Sequence, residues 1–168
     1  MTHRFLVRLF LALSVLTIAR ADPLSEWKDY DNALVGIHLT VKRAWTEIFI
    51  KETADTGSVT FNLSAQPHGT ISVSTEKAQY PFEVWMSSDV LLQLYEPGYA
   101  PPVSVVFAGR KSKKLIATAK DKEGRREETY FVNRSGYIDQ ITFSAPEADW
   151  PLFEPDFAIV RKSLRWTR

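Results

Sequence analysis

The chain has 168 residues, with 21 Lys+Arg against 20 Asp+Glu, 45% hydrophobic residues and no cysteine. The missing cysteines exclude a disulfide framework, a thiolate metal site and a lipid-modified cysteine anchor. The near-balanced charge gives no electrostatic drive toward nucleic acid, where affinity comes mainly from neutralising phosphates.

Residues 1–21 have the form of an export signal. Arg4 and Arg8 precede the apolar run Leu9 to Ile18, and Ala19-Arg20-Ala21 closes it with small residues at the cleavage positions, so cleavage is expected before Asp22. An uncleaved membrane anchor competes with this reading, but the run is shorter than the roughly 20 residues needed to span a bilayer. The signal carries Arg4, Arg8 and Arg20 and no acid. Its removal leaves 18 basic against 20 acidic residues, a net charge of −2. Residues 22–168 fit one domain at the usual size of about 100 to 150 residues, free of any membrane span.

Asp22 to Asp31 reads as a polar leader with one aromatic, Trp27, lying against the body or fraying. Strand character begins with Val35, Ile37, Leu39 and Val41, which alternate with Gly36, His38 and Thr40 at the period of a half-buried sheet. His38 is thereby expected on the opposite face. After the polar corner Lys42-Arg43-Ala44, Trp45 to Lys51 is a β-branched and aromatic run holding Ile48, Phe49 and Ile50. Val59, Phe61 and Leu63 alternate again, as do Ile71 and Val73 beyond the turn Gln66-Pro67-His68-Gly69.

The period changes at Tyr80-Pro81. Proline suits a first helical turn, and Phe82, Trp85, Met86, Leu92 and Tyr95 suit a helical face that Glu96-Pro97-Gly98 ends. Val90-Leu91-Leu92 fits a buried strand equally well. Strands return at Val103 to Ala108 and Leu115 to Lys120, separated by a basic turn from Gly109 to Lys114 that serves solubility and blocks edge pairing. Lys120 to Glu128 reads as a second, solvated hairpin tip.

The last third carries two alternating strands, Thr129 to Val132 and Tyr137 to Phe143, around Asn133-Arg134-Ser135-Gly136. A closing helix is expected from about Pro155 to Leu164. Phe153, Phe157, Val160 and Leu164 recur at helical spacing, Asp156 lies near the positive end of the dipole, and Arg161, Lys162 and Arg165 lie near the negative end.

This order of elements resembles the PsbP-like superfamily, which includes DcrB-like periplasmic proteins. The resemblance rests on Tyr30-Asp31-Asn32, Gly36-Ile37 and Trp45 at the start, then on Gly69 to Ser74. It continues with Tyr130, Gly136-Tyr137-Ile138, and finally Phe157, Val160 and Ser163-Leu164. It implies an α+β fold, an α/β/α sandwich with a central, mostly antiparallel β-sheet, a middle helix and a C-terminal helix. It also implies an accessory or binding role without catalysis. No position matches a motif for the metal-binding residues of some members, so no cofactor or metal is carried over.

Catalytic chemistry finds little to work with. Outside the signal only His38 and His68 are available as bases for a Ser-His-Asp arrangement. Glu127 and Glu128, as strand neighbours, point to opposite faces and cannot converge on one substrate. Glu147 and Asp149 flank the last corner, where helix capping by Asp149 competes with weak cation binding. The chain has no nucleophile elbow, phosphate loop or metalloprotease motif.

The segment Tyr95 to Pro102 stands apart. It is stiffened by Pro97, Pro101 and Pro102 and carries Tyr95 and Tyr99, rings favoured in interfaces at low entropic cost. The leading expectation is an exported, non-enzymatic accessory protein, periplasmic or secreted, or in the thylakoid lumen of a photosynthetic host. Its partner is an envelope protein or complex whose identity the residues leave open, as they do the oligomeric state. A small hydrophobic ligand-binding protein, and a hydrolase using His38 or His68, are the alternatives.

Overall fold

A computed structural model describes residues 26–53, 56–63, 68–87, 95, 99–118, 124–134 and 136–167. The expected signal, Pro97 and most of the second half of the expected middle helix lie outside them.

The strands of the described residues pair antiparallel. A small sheet has the order β1-β2-β10, formed by Trp27–Asn32, Ile37–Lys42 and Arg165–Trp166. A seven-stranded sheet has the order β3-β4-β5-β9-β8-β7-β6, formed by Thr46–Lys51, Gly57–Asn62, Thr70–Lys77, Tyr137–Pro146, Arg125–Arg134, Arg110–Thr118 and Val103–Phe107. Among the described residues two α-helices accompany them, α1 (Phe82–Trp85) and α2 (Trp150–Ser163), the latter entered through the 3₁₀ turn Glu147–Asp149.

The period-two signal of β2 translates directly into burial. Ile37, Leu39 and Val41 are sealed while His38, Thr40 and Lys42 face outward. The buried row of β2 joins Val59, Phe61, Ile71, Val73, Val132, Ile141 and Phe143 of the large sheet. Phe157, Val160 and Leu164 at the end of the chain complete the main core, with Phe157 against Phe143 at 5.3 Å and against Trp150 at 5.1 Å. Each fully buried side chain of this size stabilises the fold by about 1.5–3 kcal/mol. The small sheet and α2 therefore cover one face of the large sheet.

The opposite face is covered over β7 and β8, where Tyr95, Leu115, Ala117 and Phe131 form a second core joined by Phe82, Met86 and Tyr99. Phe131 reaches it because its neighbours Tyr130 and Val132 point into the main core.

Several expectations are corrected. The polar leader is partly a strand: β1 pairs along all of β2, from Trp27 opposite Lys42 to Asn32 opposite Ile37. Asn32 turns the chain back, its Oδ1 accepting from Val35 N–H at 3.0 Å, with Gly36 at φ 74°. The basic run Arg110 to Lys114 is part of β7 and not a turn, because Ala108 and Gly109 (φ 47° and 78°) form a two-residue turn that sets Phe107 opposite Arg110. Glu127 and Glu128 are buried strand residues, not part of a solvated tip. The closing helix begins at Trp150, with Pro151 in its first turn and Pro155 inside. Among described residues the middle helix is a single turn.

Candidate contact surface

Tyr95 and Tyr99 divide in role. Tyr95 is only 2% exposed, with its ring set against Tyr99 at 6.3 Å and its hydroxyl 3.4 Å from Thr129 Oγ1. Burial pushes its phenol up to about 12, opposed by the Thr129 contact and reinforced by the charge of Glu127. Its ring is thus core, and the expectation that it forms part of a contact surface is corrected. Tyr99 is half-buried, held from beneath by Tyr95, while Pro101 is exposed and Pro102 half-buried as the chain enters β6.

Beside this segment lies an open cleft of about 700 Å³ between α1 and the β6–β7 hairpin. Phe82 and Val106 supply apolar walls, Glu83 one acid, and Lys111 and Lys113 two bases. The alternation of β7 sends these lysines to this face and Lys114 to the other. There Lys114 lies 2.9 Å from Glu128. Lys113 Nζ donates to Ser104 Oγ at 2.9 Å. Val103 is 56% exposed and Val106 75%, at the outer edge of the sheet. The region presents apolar surface rimmed by charge, the usual anatomy of an interaction patch.

Neither His38 nor His68 lines this cleft. His38 lies on β2 with Nδ1 2.9 Å from Asp31 and Nε2 3.9 Å from Asp29, so both ring nitrogens face carboxylates of the adjacent strand. His68 is exposed, and its carbonyl accepts from Arg125 Nη2 at 2.7 Å. Glu127 and Glu128 do diverge. Glu128 accepts from Tyr130, Lys114 and Arg161 on the main-core side, and Glu127 acts on Tyr95 from the other. Asp149 makes no side-chain capping bond, and Glu147 lies 3.7 Å from Arg126. No group of three potential metal ligands occurs among the described residues.

A second cleft, of about 410 Å³, is lined by Glu52, Glu76, Tyr80 and Trp85. Burial raises the Glu76 carboxyl above its usual range and the charge of Glu52 adds to it. Nothing in the sequence signals this grouping, since its members come from three elements brought together only by sheet pairing.

With its antiparallel sheets and C-terminal helix, the chain has an α+β, PsbP-like fold. The chain shares it with cyanobacterial PsbP (CyanoP) from Synechocystis sp. PCC 6803, at a TM-score of 0.61 and 13% identity over 84% of this chain and 93% of that one. LpqN of Mycobacterium tuberculosis, involved in cell envelope biogenesis, matches at 0.52 and 16% identity, covering 84% of this chain and 91% of its own. PA94 of Pseudomonas aeruginosa, a protein of unknown function, matches at 0.52 and 15% identity over 79% and 92%. No family model and no curated protein matches the chain. Among the described residues no helix is long and apolar enough to cross a membrane.

Proposed function

We propose that the chain is an exported, non-catalytic accessory protein of the cell envelope that acts by binding another protein through the surface of Tyr99, Pro101, Pro102 and Val106. The observation that carries this reading is the preorganisation of that surface. Tyr99 rests on the buried Tyr95 ring, two prolines stiffen the chain after it, and the exposed Val106 continues it along β6. A surface already ordered loses little entropy on binding. The fold it shares with an envelope-biogenesis protein supports the envelope setting. Neither of these two clefts is a closed apolar cavity, for both carry charged residues on their walls.

Photo-crosslinking in envelope preparations tests this. A photoreactive residue at position 99 or 106 is expected to give one discrete adduct, whereas the same probe at Leu152, which is 69% exposed on α2, gives none. Equal labelling patterns from all three positions would remove the surface from the proposal.

A further inference from the structure

The edge strand β3 differs from every other strand. All six of its residues are exposed, and Ile48, Phe49 and Ile50 are 47%, 42% and 54% accessible despite being consecutive. It is the terminal strand of the seven-stranded sheet, paired on one side by β4 and, among the described residues, by no strand on the other. Such an edge offers a row of backbone groups to a further strand, and soluble proteins usually blunt it with proline, a bulge or an inward-pointing charge. The opposite edge has such a guard, since Pro101 and Pro102 lead directly into β6. β3 has no proline and no bulge, and its two charges, Glu47 and Lys51, flank the apolar run Ile48 to Ile50.

We propose that β3 is a homodimerisation edge, occupied by β3 of a second copy of this chain in an antiparallel pair centred on Phe49. The sequence Glu47-Ile48-Phe49-Ile50-Lys51 is complementary to itself when reversed. A two-fold axis at Phe49 sets Glu47 opposite Lys51 of the second copy, Ile48 opposite Ile50, and Phe49 opposite Phe49. Both ion pairs form together by symmetry, as an isologous interface requires. Opposite charges facing each other across antiparallel strands stabilise the pairing, and like charges there oppose it.

Backbone direction agrees with this register. Glu52 N–H donates to Thr56 O at 3.1 Å, continuing the β3–β4 ladder, and the carbonyl oxygen of Ile50 lies against Gly57 of β4. Residues 48, 50 and 52 therefore turn their backbone groups toward β4, and Glu47, Phe49 and Lys51 turn theirs to the open edge. The proposed pair matches Glu47, Phe49 and Lys51 with one another, so outward donors meet outward acceptors. It also gathers Ile48 and Ile50 of both copies on one face and both Phe49 rings on the other. The Tyr30 hydroxyl donates to Glu47 Oε1 at 2.7 Å and holds that carboxylate beside the edge.

Sedimentation velocity of the purified protein over a range of concentrations reads this directly, and the expected result is a reversible dimer. Lys51→Glu places like charges opposite each other twice and weakens the dimer roughly ten-fold or more. Glu47→Lys acts likewise. The double variant Glu47→Lys/Lys51→Glu restores both pairs and with them the dimer, which a merely misfolded variant would not do. Phe49→Cys, in a chain without other cysteines, gives a covalent dimer on mild oxidation, while Val106→Cys on the opposite edge does not. A monomer at every concentration, as expected if the edge serves a different protein, would overturn the proposal. A dimer indifferent to charge reversal, or one that the double variant fails to restore, would overturn it equally.

Discussion

The Arg134 guanidinium holds the Asp139 carboxylate through two parallel bonds, Nε to Oδ2 at 2.6 Å and Nη2 to Oδ1 at 2.7 Å, with side chains 8% and 0% exposed. Arg134 also donates to Thr75 Oγ1 at 3.2 Å and to the Val35 carbonyl at 3.3 Å, and it lies 5.6 Å from the Trp166 ring. One side chain thus ties the end of the β8–β9 hairpin to β5, to the turn before β2, and to β10. The two sheets are joined through it.

Breaking this pair leaves an uncompensated buried charge. Arg134→Ala and Asp139→Ala should each cost about 3–5 kcal/mol in urea unfolding. Arg134→Lys should recover only part, since an ammonium cannot reproduce the planar fork. The double change Arg134→Met/Asp139→Leu should cost less than either alanine variant. A cost no larger than a surface substitution, under about 0.5 kcal/mol, would show that the pair does not join the sheets.

Glu128 makes stability depend on pH. Burial works to raise its carboxyl, but the Tyr130 hydroxyl, Lys114 and Arg161 outweigh burial and hold it below its ordinary value of 4.5. A depressed folded pKa means stability fully present above the unfolded value and lost as pH falls through the folded one. Unfolding midpoints should therefore decline below about pH 4.5. Glu128→Gln should lower the midpoint at neutral pH by the equivalent of about 1–3 kcal/mol and flatten this part of the acid decline. A variant whose acid profile runs parallel to the native one would refute the assignment.

Ala108 shows where the sequence was legible and where it was not. The period-two rows of β2, β4 and β5 can be read directly, because each has one face on the core and one turned away from it. The β6–β7 turn is harder, for five polar and basic residues resemble a loop until the positive φ at Ala108 confines the turn to two positions. β1 was hidden because Lys28, Asp29 and Asp31 break its apolar pattern, and it gains its conformation from pairing with β2. The Tyr95–Tyr99 pair was legible as aromatic and stiff, but which ring faces solvent depends on packing across β7 and β8. A non-glycine residue at φ 47° costs roughly 1 kcal/mol. Ala108→Gly or Ala108→Asn should accordingly stabilise the protein by about 0.5–1 kcal/mol, read as a higher thermal midpoint. An unchanged or lower midpoint for both would mean that the turn is not strained.

The division between Tyr95 and Tyr99 separates folding from binding. Tyr95→Ala empties a space in the second core against Leu115, Ala117 and Phe131, and should cost about 3–5 kcal/mol by large-to-small truncation. Tyr95→Phe removes only a long contact to Thr129 and should cost about 1 kcal/mol or less. Tyr99→Ala, at a half-buried ring, should leave most of the stability in place while abolishing the discrete crosslinked adduct formed from position 106. Because stability and adduct yield are measured separately, a folded Tyr99→Ala protein that still gives the adduct would exclude the ring from the interface. A Tyr95→Phe protein that loses the adduct at full stability would instead place the buried hydroxyl in the ordering of the segment above it. The expected pattern, adduct kept in Tyr95→Phe and lost in Tyr99→Ala, follows from one ring packing inward to support the other at the surface.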